Sequence, residues 1–252
     1  MKARSLSSSI PKKRFDSPNT NWTCERVLEE LRRLGEKRNV EGMATFGIVA
    51  KNVYGVSKPK LDELARQIGR DHQLALDLWQ TGVHDGRILA GMIDEPGKVT
   101  VAQMNRWARD FDNWDVCDGT CCHLFVFADG AWDRAREWTK RTAEFQKRAG
   151  FALLAYLACR DKTAKDARYK MMLPVLLSEA HDDRNFVRKA VNWALRNIGK
   201  RNMRLNRAAI QTAERMKRID SRAARWIAAD ALRELKSEAV KKRLLRKKGL
   251  KA

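Results

Sequence analysis

The chain of 252 residues carries 52 lysines and arginines against 31 aspartates and glutamates, a formal net charge of +21. Hydrophobic residues make up 44%, which allows a sizeable core and excludes wholesale disorder. Five prolines and 14 glycines are too few for a many-stranded sandwich or barrel, which needs turn residues about every 8–12 positions. The charge excess points to a polyanionic partner, nucleic acid before an anionic membrane surface, and no apolar run approaches the roughly 18–20 residues of a membrane span.

Residues 1–20 (MKARSLSSSIPKKRFDSPNT) hold charge but no apolar stretch of the secretory kind, and read as a disordered basic arm. Five cysteines in no framework spacing suit reduced thiols in a cytoplasm. From residue 22 the pattern is helical. Val27, Leu28, Leu31 and Leu34 recur at helical spacing; Ser57 is an expected N-cap, with Pro59 in the first turn and Leu61, Leu64, Ala65 and Ile68 behind it. Thr100 and Gln103 form an expected capping box ahead of Val101, Met104, Trp107, Ala108 and Phe111. Further stripes span 145–158, 166–179, 186–198, 206–216 and 222–235. Period-2 alternation is absent, so the expected fold is all-α, with ten to twelve short helices over 21–236 and a basic tail at 237–252. The tail run KKRLLRKKGLK (241–251) reads as a solvated last helix adding non-specific DNA affinity rather than as a membrane helix or a nuclear-type signal.

Internal similarity separates a bundle from a solenoid. Phe145-Gln-Lys-Arg148-Ala149-Gly-Phe-Ala lies over Phe186-Val-Arg-Lys189-Ala190-Val-Asn-Trp193 at an offset of 41, and Ala194-Leu195-Arg196 over Ala231-Leu232-Arg233 at 37. A period of about 40 for a helix pair is HEAT-like. The fold class expected is therefore a HEAT-like α-solenoid with a concave basic face. In that register Arg148 and Lys189 are equivalent, and Trp193 replaces the small Ala152.

The most unusual stretch is Phe111-Asp-Asn113-Trp114-Asp115-Val116-Cys117-Asp118. If a helix opens there, Trp114 and Asp118 stack on one face; the plain alternative is a core tryptophan with a capping or solvated aspartate. Cys117-x3-Cys121-Cys122-His123 invites a zinc reading, but Cys122 leaves the Cys117/Cys121 face and no second ligand pair appears, so buried packing thiols are expected and no metal. His72, His84 and His181 have no acid at meaningful spacing and are expected on the surface.

Trp114-Asp115-x-x-Asp118, then Gln146-Lys147-Arg148-Ala149, then Arg188-Lys189-Ala190-x-x-Trp193-x-Leu195-Arg196, at repeat spacing, resembles the AlkD-like family of HEAT-repeat DNA glycosylases. The resemblance spans about 25–235 and includes the Tyr54-Gly55-Val56-Ser57-x-Pro59 turn. It implies excision of N3- and N7-alkylated purines from duplex DNA without cofactor or metal and without base flipping. It also implies Asp118 as catalytic aspartate, Trp114 and Trp193 as lesion-facing rings, and Arg148 as phosphate contact. Lys189, Arg188 and Lys147 join Arg148 as expected DNA-binding residues. Members often carry a second aromatic before the first tryptophan, where this chain has Asn113. The partner expected is double-stranded DNA bearing alkylated purines, bound by a cytoplasmic monomer. The chemistry is self-consistent: a cationic alkylpurine departs neutral, so one carboxylate stabilising the sugar cation suffices where ordinary glycosidases need two. The rival reading is a non-catalytic HEAT-repeat protein that holds damaged or bent duplex, or RNA.

Overall fold

Caps and stripes close into helices along the whole span described by the computed structural model, residues 22–247; the expected arm at 1–20 lies outside it. The helices are α1 (Cys24–Leu34), α2 (Lys37–Thr45), α3 (Lys58–Ile68), α4 (His72–Gln80), α5 (His84–Ile93), α6 (Val101–Arg109) and α7 (Trp114–His123). They continue as α8 (Ala131–Trp138), α9 (Glu144–Arg160), α10 (Asp166–Ser178), α11 (Asn185–Gly199), α12 (Met203–Met216), α13 (Arg222–Leu235) and α14 (Glu238–Lys247). Among the described residues there is no strand, and no helix is long and apolar enough to cross a membrane. The fourteen α-helices of the described residues exceed the ten to twelve expected, because short ones such as α2, which buries no residue, carry too little periodicity to register in the sequence.

Side-chain oxygens start many of these helices. Thr23, Asp71, Thr100, Asn202 and Ser221 accept from the backbone N–H three residues on, satisfying donors that a first turn leaves orphaned. The expected capping box at Thr100 is only half formed: Gln103 Nε2 donates to buried Asp94 at 2.7 Å instead of reaching back.

The odd-numbered helices α5, α7, α9, α11 and α13 pack side by side in chain order, and even-numbered helices back them. They open at residues 84, 114, 144, 185 and 222, so successive starts lie 30, 30, 41 and 37 apart. The period of about 40 therefore holds only in the C-terminal half, where α9 and α11 run 17 and 15 residues; α5 and α7 run 10 each. The sequence register between α9 and α11 holds: the rings of Phe145 and Phe186 meet with centroids 5.3 Å apart. Gly150 lets α9 press onto the end of α8, since a Cβ there would sit 2.5 Å from Thr139 N. Trp79 and Trp107 stack at 3.9 Å in the N-terminal half of the core, with Phe111, Phe125 and Trp138 around them.

Two features frame the row. At its N-terminal end, buried Asp85 accepts from Tyr54 N and Val56 N at 2.7 Å each, holding the turn into α3. Gly55 takes φ +76 there, where a Cβ would meet Glu36 O at 2.6 Å. At the other end, α14 buries Val240 and Leu244, so the first part of the basic tail is docked to the fold, not merely solvated.

Candidate active site

Asn113 sets the geometry of α7. Its backbone is extended (φ −151), and its Oδ1 accepts from Asp115 N at 3.0 Å and Val116 N at 3.1 Å. Its Nδ2 lies 3.3 Å from His84 Nδ1, which makes that ring nitrogen the acceptor and leaves Nε2–H to donate to Asp115 Oδ2 at 3.2 Å. His84 is therefore buried and paired, contrary to the surface position expected. His72 is also paired, its Nδ1 2.6 Å from Asp94 Oδ1. Asp115 lies on α7 and Asp94 just past the end of α5, where sequence spacing cannot show them. Asn113 is a buried capping residue, which explains a polar side chain where an aromatic is common.

With the cap fixed, Trp114 opens α7 and Asp118 follows one turn later on the same face. Trp114 is half-buried, and its Nε1 donates to Phe46 O at 2.9 Å. Asp118 is held by two charge-assisted bonds from α9: Arg148 Nε to Oδ1 at 2.9 Å and Nη2 to Oδ2 at 2.6 Å. The two side chains are 15% and 8% exposed. Burial pushes the Asp118 carboxyl above the usual aspartate range, and the Arg148 guanidinium pulls it part of the way back. Arg148 Nη1 also donates to Phe186 O at 2.6 Å, so one guanidinium ties α7, α9 and α11 together.

These contacts revise two expected phosphate contacts. Arg148 is buried and spent on Asp118 and Phe186, leaving no free cation to meet DNA. Lys147 is also buried, its Nζ 2.6 Å from Glu179 and 2.9 Å from Asp182. Although burial alone would raise it, hydrogen bonds from Arg184 and Lys147 hold the Asp182 carboxyl down at about 2. Lys189 is exposed. Arg188 lies over the Trp226 ring, 4.9 Å from its centroid. Trp193, on α11, is half-buried and leans edge-on against Tyr156 of α9, centroids 4.8 Å apart. Burial and the neighbouring Cys122 push the Tyr156 phenol well up, so it remains a neutral platform.

The sequence missed the segment between α2 and α3. Phe46 and Val49 are 71% and 80% exposed, yet the backbone between them spans the site. Phe46 O takes the Trp114 indole N–H, and Gly47, at φ +74, lies where a Cβ would be 3.0 Å from Phe186 Cζ. Trp114, Asp118, Arg148, Phe186 and this segment thus form one connected cluster.

A profile of the family described as DNA alkylation repair enzymes matches residues 27–235. The chain belongs to that family. One solved structure matches with a TM-score of 0.70 and 22% identity, covering 85% of this chain and 96% of that one; it is described as belonging to a new family related to the HEAT-like repeat DNA glycosylases, with affinity for branched DNA structures. No curated protein matches. The repair-family architecture is thus the HEAT-like solenoid expected from the internal repeats, with the clustered residues on its central helices.

Within the repair-family fold the cysteine cluster has a packing role. Cys117 and Cys121 are fully buried, and their thiols point to Phe145 O and Ala149 O on α9 at 3.6 and 3.8 Å. Cys122 accepts from Arg160 at 3.1 Å. The His123 imidazole is lowered to about 4 by burial and by the cations Lys58 and Arg160. Among the described residues no group of three or more histidine, cysteine or acidic side chains is placed to hold a metal.

Proposed function

We propose that this repair-family member is a DNA glycosylase that excises cationic N3- and N7-alkylated purines from duplex DNA without flipping the base. The observation that carries the reading is Asp118: a desolvated carboxylate, held in one orientation by Arg148, one helical turn from the half-exposed Trp114. Breaking the glycosidic bond sends its electron pair to the base nitrogen, which leaves neutral, and builds positive charge on the deoxyribose. Asp118 stabilises that charge. Water then adds to the anomeric carbon and gives up a proton to solvent. Arg148 is a positioning residue that keeps the carboxylate ionised despite burial. Trp114 and Trp193 supply indole faces that attract the sugar's cationic character and exclude water, and exposed Lys189 meets a flanking phosphate. The testing experiment is base release from methylated duplex by the wild type and by Asp118→Asn. Release that depends on Asp118 supports the reading, and none from the wild type overturns it.

A second reading is favoured by one specific contact. Arg148 neutralises Asp118 at hydrogen-bond range, which weakens the carboxylate's field on a nearby cation. A chain that binds DNA without excision, with an affinity for branched structures such as the solved relative is described as having, would retain such a pair to set how α7, α9 and α11 meet. It would bind branched duplex tightly and release no base.

A further inference from the structure

From the contacts between α11 and α13 we infer a second nucleic-acid site: Trp226, flanked by Arg188 and Arg222, stacks an unpaired nucleotide of DNA. It lies outside the Asp118 cluster, and it requires only that DNA is the partner. Three observations carry it. First, Trp226 is 38% exposed, although the α11–α13 seam is closed by side-chain pairs one and two turns further on. Moving along the seam by single turns, Asn192 donates to Asp230 at 2.7 Å and Arg196 to Glu234 at 2.6 Å, while Arg188 meets the Trp226 ring at 4.9 Å.

Second, the repeat register shows what is missing. Lys147 is the counterpart of Arg188 one repeat back, at the offset of 41, and is neutralised by Glu179 and Asp182. Among the described residues Arg188 has no carboxylate partner; its Nη2 makes a 3.3 Å bond to Asn185, and its Nε is buried with no acceptor. A guanidinium with N–H groups to spare over a part-exposed indole ring attracts an anion that carries a flat ring. Third, Arg222 is exposed one turn before Trp226 on the same face of α13, and Lys189 is exposed beside Arg188, so phosphates on either side of a stacked base would meet cations.

An unpaired base is favoured over duplex because an indole can stack only on a free base face, and within a duplex both faces are covered by neighbours, leaving only the end pairs with one face free. Base–aromatic stacking is sequence-tolerant and is lost on alanine substitution. Cations alone would bind single and double strands without a ring.

The test compares an undamaged blunt duplex with the same duplex carrying a short single-stranded extension, both bound by the full chain. The wild type should prefer the extended probe. Trp226→Ala should lower affinity for it about tenfold while leaving the blunt duplex within about twofold, and Trp226→Phe should retain most of the preference. 2-Aminopurine in the extension should be quenched on binding to the wild type and to Trp226→Phe, and not to Trp226→Ala. No preference in the wild type, equal losses on both probes, or quenching that persists in Trp226→Ala would each overturn the proposal. No lesion is used, so a failure of base excision leaves this result unaffected.

Discussion

Asp118→Asn changes one atom and tests two roles at once. In the native chain Asp118 and Arg148 share two hydrogen bonds at 2.9 and 2.6 Å with side chains 15% and 8% exposed. Removing one charge from such a pair leaves the other uncompensated, at a cost of about 3–5 kcal/mol. Asparagine keeps the size and can still accept one guanidinium N–H, so the lower end, about 3 kcal/mol, applies. In a domain this size each kcal/mol shifts Tm by about 2–4 °C, giving a drop of about 6–12 °C by circular dichroism. Base release should fall by about 10²-fold or more, the scale of losing one electrostatic catalyst. The double variant Asp118→Leu/Arg148→Met, which removes both charges and leaves no polar side chain behind, separates the roles. Replacing a buried pair by apolar volume is often neutral or stabilising, so Tm should return to near the wild type while base release stays lost. If single-turnover release recovers together with Tm, Asp118 is structural and the proposed mechanism is refuted.

Four further outcomes follow from the same contacts. Only the ionised Asp118 stabilises a sugar cation, and burial holds its pKa above the ordinary range; base release should therefore fall on acidification with a midpoint above that of an exposed aspartate, and Arg148→Met should move this limb to still higher pH in a pH–rate profile. Lys189→Ala should reduce the slope of log K against log[salt] for duplex binding by about one unit, whereas Lys147→Ala should leave the slope unchanged and lower Tm by stranding Glu179 and Asp182. Gly150→Ala gains about 1 kcal/mol of helix propensity but places a Cβ 2.5 Å from Thr139 N and 2.8 Å from Trp138 C; rigid backbone overpacking of about 1–3 kcal/mol should win, with a net loss in thermal melts. Substrate range should follow the charge of the base, with N7-methylguanine and N3-methyladenine released and uracil retained in single-turnover assays on matched duplexes; preferential uracil release would require a general acid that the cluster lacks.

The parts of this site that are periodic along one helix were legible in the sequence. Trp114 with Asp118, and Lys189 with Trp193, share a face because four residues make one turn, and the fold class followed from stripes that recur at repeat spacing. What was not legible depends on partners across the seam between helices. Arg148 looks like a free cation until α7 places Asp118 beside it, 30 positions away. Lys147 is indistinguishable from it by sequence, yet Glu179 and Asp182 claim it. His84 meets Asp115, and Asn113 proves to be a cap, only once α5 and α7 are side by side. Phe46 was overlooked because α2 has no buried face, and the segment after it earns its place through backbone atoms, which carry no residue-specific signature.

The backbone between α2 and α3 has a consequence for how the chain holds together. In stacked-repeat proteins each unit touches only its neighbours, so the array behaves as a line and frays from its ends. Here Phe46 and Gly47 join the second helix to the seventh and the eleventh, fastening an early part of the strip to a late one. Loss of the first two helices would take the acceptor from the Trp114 indole N–H and uncover Phe186, so a truncation at the N-terminus should disturb α7 and α11 as well as the units it removes.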